Sequence, residues 1–119
     1  MSLVTYTRML GIIEMKEEQT YSWIFLATAL ASQTESVDFN EISMMADGIN
    51  HSVPTHKELQ TSISWLSLHR LISKQGKKYS LTSKGHTEYE KASEKTKTLF
   101  KIWENLEEQI KNMSKVRLS

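Results

Sequence analysis

The residues best equipped for chemistry lie between His56 and Lys78. After His56, a polar set recurs at Lys57, Gln60, Thr61 and Ser64, and Lys74, Lys77 and Lys78 follow. A lysine ammonium is a compact cation, a glutamine amide donates and accepts side by side, and serine and threonine hydroxyls do both. Such a set suits hydrogen bonding to a polar ligand and neutralising an anion. A solvated helix face and an ordinary lysine-tipped hairpin account for the same residues, since lysines on exposed edge strands discourage aggregation.

Other chemistries find little support. The chain has no cysteine, which excludes disulfides, thiolate metal sites and cysteine nucleophiles. Its histidines, His51, His56, His69 and His86, are dispersed and form neither an H-x3-H pair on a helix nor an H-E-x-x-H motif, so no zinc site is expected. Glycine-rich phosphate loops, G-x-S-x-G elbows and paired catalytic carboxylates are missing. Glu17-Glu18 and Glu107-Glu108 read as solvated charge. Neither enzymatic activity nor a cofactor is expected.

With 119 residues the chain has the length of one domain. A hydrophobic content of 39% can build a modest core, while Gly 4 and Pro 1 are few for the turns of an all-β protein. The net charge is only +1, so affinity for a polyanion must come from local clustering of charge. No apolar run approaches the ~20 residues of a membrane helix, and no signal peptide is evident, so the expectation is a cytoplasmic protein without membrane association.

The elements that must position the polar set are legible from caps and periodicity. Residues 3–18 carry Leu3, Tyr6, Leu10 and Ile13 at roughly helical spacing, with a short strand over LVTY as the alternative. Residues 20–32 are apolar on most faces, which predicts a central, nearly buried helix capped by Thr20. Val37-Asp38-Phe39 reads as a short strand. Asp38 and Glu41 then open a helix over 39–47, with Ile42 and Met45 inward and Gly48 at the left-handed position that ends it. Thr55 and Glu58 form the S/T-x-x-E capping box of the next helix, 56–70, whose apolar stripe is Leu59, Ile63 and Leu66. Gln75-Gly76 offers a hairpin turn between Leu71-Ile72 and Lys77–Thr82. Thr82 caps a last helix over about 83–114. There, Tyr89, Ala92, Thr96, Leu99, Trp103, Leu106, Ile110 and Met113 alternate steps of three and four, a coiled-coil seam with one polar occupant. A continuous helix of ~30 residues would span about 45 Å. That length predicts a second copy as partner in a two-fold dimer; the alternative is packing against residues 3–18 of the same chain.

The order helix, short strand, helix, helix, hairpin, helix resembles a winged helix-turn-helix. Two segments carry the resemblance: W-L-S-L-H-R-L-I, ending the 56–70 helix, and Tyr79-Ser80-Leu81-Thr82-Ser83-Lys84-Gly85. The latter looks like the Y-x-L-T-x-x-G exit from the wing in MarR-like and PadR-like regulators. The resemblance covers about residues 20–90. The fold class so implied is mainly α (α+β): one winged-helix domain over 1–119 with a core at about 20–85, an N-terminal extension at 3–18, a small hairpin wing and a long C-terminal dimerisation helix. There are two departures. Arg70 stands where such families often have glycine, and the 48–54 connection exceeds the short turn of a DNA-reading helix-turn-helix.

The resemblance implies double-stranded DNA as partner, with helix 56–70 in the major groove. Gln60 would then pair with adenine, Thr61 and Ser64 with bases or phosphate, Lys57 with guanine or phosphate, and His56 with phosphate. Lys74, Lys77 and Lys78 would hold the backbone in an adjacent groove. The alternative is a winged-helix module that binds a protein, or only itself. Trp65 and Leu68 lie off the core stripe and either pack locally or line a binding surface. Trp23 and Phe25 border a small-molecule effector pocket at a dimer interface or are plain core.

Overall fold

The computed structural model describes residues 16–118, in the order α1 (Glu17–Ala31), α2 (Phe39–Asn50), α3 (His56–Leu68), β1 (Ile72–Gln75), β2 (Lys78–Leu81), α4 (Ser83–Ser93) and α5 (Leu99–Leu118). The chain is mainly helical, with one two-stranded antiparallel sheet among the described residues. The helix or short strand expected within residues 3–18 falls almost wholly outside them; of that stretch Lys16, Glu17 and Glu18 are described, Lys16 at the cap position of α1 and the two glutamates opening it.

α1 is the hub. Ten consecutive residues, Thr20 to Ala29, are buried, because α2, α3 and α5 all pack against it and β2 and α4 touch it as well. A helix apolar all round can be stable only in such a position. Its buried hydroxyls are satisfied within the helix: Ser22 Oγ donates to the Gln19 carbonyl at 2.9 Å and Thr28 Oγ1 to that of Ile24 at 2.8 Å. Thr20 does not cap α1 as expected. The helix starts three residues earlier, with Lys16 at the cap position, and Thr20 Oγ1 bonds back to the Lys16 carbonyl. Two indoles tie the hub to its neighbours. Trp23 Nε1 donates to the Ala46 carbonyl in α2 at 2.9 Å, and Trp103 Nε1 in α5 donates to the Gln19 carbonyl and Ser22 Oγ, both at 3.0 Å. Trp23 and Phe25 are fully buried core residues.

The expected caps of α2, α3 and α4 form. Asp38 with Glu41, and Thr55 with Glu58, are reciprocal capping boxes, and Thr82 Oγ1 accepts from Gly85 N–H at 3.0 Å. The end of α2 differs from the sequence reading. Gly48 is interior to the helix, which continues to Asn50 because Ile49 and Asn50 are buried, and His51 takes the left-handed conformation (φ 53°). The α2–α3 connection is thereby shortened to residues 51–55.

α3 ends in a Schellman motif: Leu71 N–H donates to the Leu66 carbonyl at 2.9 Å and Arg70 N–H to that of Ser67 at 3.0 Å. Arg70 occupies its left-handed position with φ 61°. The turn therefore keeps the geometry that glycine would serve, and a side chain there costs roughly 1–2 kcal/mol. In the hairpin, Ile72, Ser73, Lys74 and Gln75 face Leu81, Ser80, Tyr79 and Lys78. Gly76, at φ 65°, fills the first of two central turn positions, where a type II′ turn needs glycine. Val37 adds an isolated bridge to Tyr79, exchanging both main-chain hydrogen bonds. Gly85 brings α4 onto the α3–β1 turn: a Cβ there would lie 2.0 Å from the Leu71 carbonyl oxygen.

The single long helix expected over 83–114 is two helices. The break falls at 94–98, around Thr96, the polar occupant of the seam, whose Oγ1 accepts from Thr98 N–H at 3.2 Å. Serine and threonine offer the backbone such local alternatives to a helical bond. α5 then folds back antiparallel to α4. Asn105 Nδ2 donates to the Ala92 carbonyl at 2.9 Å, and Gln109 Nε2 to the carbonyl and Oε1 of Glu88 at 3.0 and 2.8 Å. Of the seam, Ala92, Trp103, Leu106 and Ile110 are buried in this chain's own core, and Tyr89 and Met113 pack against it. Leu99 stays exposed. The apolar period that suggested a second copy is used within the chain.

Candidate functional site

The site is built on the outer face of α3 and on the hairpin. The capping box fixes the start of α3, and Leu59, Ser62, Ile63 and Leu66 anchor its inner face. That rotation leaves His56, Lys57, Gln60, Thr61 and Ser64 exposed. In the hairpin, Tyr79 and Leu81 point inward, whereas Lys74, Lys77 and Lys78 are exposed. All eight polar residues singled out from the sequence are thus on the surface.

An aromatic hinge, which the sequence reading missed, links the two parts. Phe39, the first residue of α2, lies 5.4 Å from the Tyr79 ring and 6.5 Å from the His56 ring, centroid to centroid. Lys74, the cross-strand partner of Tyr79, holds its ammonium 5.9 Å from the centre of that ring. An exposed cation–π contact of this kind is worth about 0.5–1 kcal/mol. It holds Lys74 over the Tyr79 ring while its charge stays in solvent. Phe39 and Tyr79 thus stand between His56 and Lys74, while Lys77 and Lys78 are at the hairpin tip. The signal for Phe39 was an aromatic residue beside a cap in a stretch that reads equally well as a strand.

Charge is distributed unevenly. Residues 51–87 hold six Lys/Arg (Lys57, Arg70, Lys74, Lys77, Lys78 and Lys84) and one acid, Glu58. The rest of the chain holds the remaining nine Lys/Arg and thirteen Asp/Glu. The single acid is turned back into the helix cap, where Glu58 Oε1 accepts from Thr55 N–H at 2.8 Å. A net charge of +1 thus conceals a basic segment on an otherwise acidic molecule.

Trp65 packs on α1 and its own helix end, between Tyr21 (centroids 4.8 Å apart) and His69 (3.7 Å). His69 Nδ1 is hydrogen-bonded to the Trp65 carbonyl at 2.9 Å. Leu68 is 63% exposed. Among the described residues no group of His, Asp or Glu is placed to hold a metal ion, and no helix is long and apolar enough to cross a membrane. Comparison of the chain with protein-family models, with curated proteins and with solved structures finds no match.

Proposed function

We propose that this chain is a winged-helix DNA-binding regulator, with α3 entering the major groove and the β1–β2 hairpin lying on the phosphate backbone as the wing. The observation that carries this reading is the basic segment: six cations on α3, the turn after it, the hairpin and the start of α4, against a single acid, Glu58. Phosphate neutralisation supplies most of the affinity of such proteins, and base-edge contacts supply the specificity. Gln60, Thr61 and Ser64 are the exposed groups suited to base edges, with Lys57 for guanine or phosphate. His56 and Lys74, joined through Phe39 and Tyr79, set helix and hairpin at a fixed relation. A two-fold dimer on a pseudo-palindromic site needs a surface other than the α5 stripe, which is buried.

The test is fluorescence anisotropy with mixed genomic duplex fragments at low and moderate salt. Wild type is expected to bind with a steep salt dependence. Lys57→Ala and Lys77→Ala should each weaken binding and flatten the slope of log K against log salt by about 0.9. A folded protein that binds no duplex even at low salt overturns the reading. That result would favour a second one, a winged-helix module that docks a protein, for which the exposed Met44, Val53, Leu68 and Phe100 argue.

A further inference from the structure

We infer that Arg70 is a phosphate-contacting residue, held by the fold at the C-terminal end of α3 for its guanidinium. The inference rests on the DNA-binding reading and extends it to a residue outside the α3 face and the hairpin tip.

Three observations converge on it. First, Arg70 sits in the left-handed conformation at the Schellman position, where glycine is the unstrained residue. Second, the fold uses only its main chain. Its N–H donates to the Ser67 carbonyl at 3.0 Å, and its carbonyl accepts from Thr82 Oγ1 at 2.5 Å. Glycine would make both bonds without strain. The side chain is exposed and has no ion pair among the described residues. What it contributes therefore lies outside the fold, and backbone strain retained without a structural return is a pointer to function.

Third, the position suits a phosphate. α3 has 13 residues and is about 20 Å long. The major groove is about 12 Å wide. A helix of that length laid across the groove emerges over a flanking strand. Arg70 follows its last residue by two positions and precedes Lys74 by four. It bridges the gap along the chain between the cations of α3 and those of the hairpin. A guanidinium also matches the fork of two phosphate oxygens better than an ammonium does. The turn is rigid enough to present it. Lys84 Nζ donates to the His69 carbonyl at 3.2 Å, and Thr82 N–H donates to the Leu71 carbonyl at 3.1 Å, so both flanks of Arg70 are tied to the start of α4.

The experiment compares Arg70→Gly, Arg70→Lys and wild type in the same anisotropy titrations, with thermal unfolding in parallel. Arg70→Gly relieves the strain, so its unfolding midpoint should rise. Its affinity for duplex should nevertheless fall about threefold at moderate salt, with the salt slope flattened by about 0.9, the expected loss for one phosphate contact. Arg70→Lys should keep the wild-type slope and most of the affinity. Opposite signs in stability and affinity would separate a contact from a structural role. If Arg70→Gly binds with wild-type affinity and slope while Lys57→Ala and Lys77→Ala are weakened, Arg70 is no contact and the DNA-binding reading stands. If no protein in the series binds duplex, wild type included, the reading fails and the role of Arg70 fails with it.

Discussion

The α3–hairpin unit and the α4–α5 pair lean on the same helix, α1, yet they are held there in different ways. The first is set by local chemistry. A capping box starts α3, a Schellman turn ends it, glycine makes the hairpin bend, and Thr82 starts α4. The second is set by distant contacts: Trp103 reaches back to Gln19 and Ser22, Asn105 to Ala92 and Gln109 to Glu88. Local devices fix an element whatever surrounds it. Distant contacts fix it only when the partner is in place, and an apolar stripe does not name its partner.

Trp103 gives the largest way to break this contrast. It is buried, donates two hydrogen bonds into α1 and stacks near Trp23 and Phe100 at 6.2 and 6.1 Å. Removing a buried indole costs about 3–5 kcal/mol. A carboxylate in its place adds the penalty of an unpaired buried charge. Against a total stability of roughly 5–15 kcal/mol, Trp103→Glu should leave the chain largely unfolded. Urea unfolding and sedimentation check this together. A Trp103→Glu protein that is well folded and monomeric, from a dimeric wild type, would mean that α5 packs on a second copy after all.

This contrast also explains what was legible in the sequence. The caps at Asp38, Thr55 and Thr82, the stripe Leu59–Ile63–Leu66 and the turn at Gly76 could all be read, because each depends on residues within a few positions. The eight polar residues are exposed for the same reason: once the stripe is known, so is the opposite face. The C-terminal seam could not be assigned. Over three turns a 3.5-residue seam and a 3.6-residue face diverge by only ~20° per heptad, so Trp103, Leu106 and Ile110 fit a coiled coil and an antiparallel fold-back equally well. Thr96, the one polar occupant of the stripe, was the sign of the break between the two helices. Phe39 escaped because its significance lies in an inter-element contact, and Arg70 was marked only as a departure from glycine because its weight lies in a backbone angle.

Two glycines sharpen the comparison at intermediate size. Gly85 has no room for a methyl group, since its Cβ would meet the Leu71 carbonyl oxygen at 2.0 Å. Gly85→Ala must push α4 off the α3–β1 turn, an overpacking cost of about 1–3 kcal/mol or more. Gly48 has nothing within 4 Å of a built Cβ and lies inside α2. Gly48→Ala should stabilise by up to about 1 kcal/mol, because alanine is the better helix former. The same substitution should therefore shift the urea midpoint in opposite directions. Equal shifts would remove the close contact of α4 with the α3–β1 turn from the account.

The smallest expected effect lies at the junction of α1 and α3. Tyr21 stacks on Trp65, and its phenol is raised above the ordinary value of 10.0, first by burial and then by the carboxylates of Glu17 and Glu18. The folded state thus holds the phenolic proton more tightly than the unfolded chain. Stability from this group is complete below pH 10 or so, the unfolded value, and is lost as pH rises through the higher folded value. Tyr21→Phe keeps most of the ring contact and removes the titration, so its alkaline unfolding curve should be shallower above pH 10 than that of wild type. Glu17→Gln with Glu18→Gln should shift the onset by less, because burial is the larger cause. Circular dichroism along a pH series decides it. Indistinguishable alkaline curves for wild type and Tyr21→Phe would show that the α1–α3 contact opens before its tyrosine ionises, placing the weak point of the α3 unit at its junction with the hub.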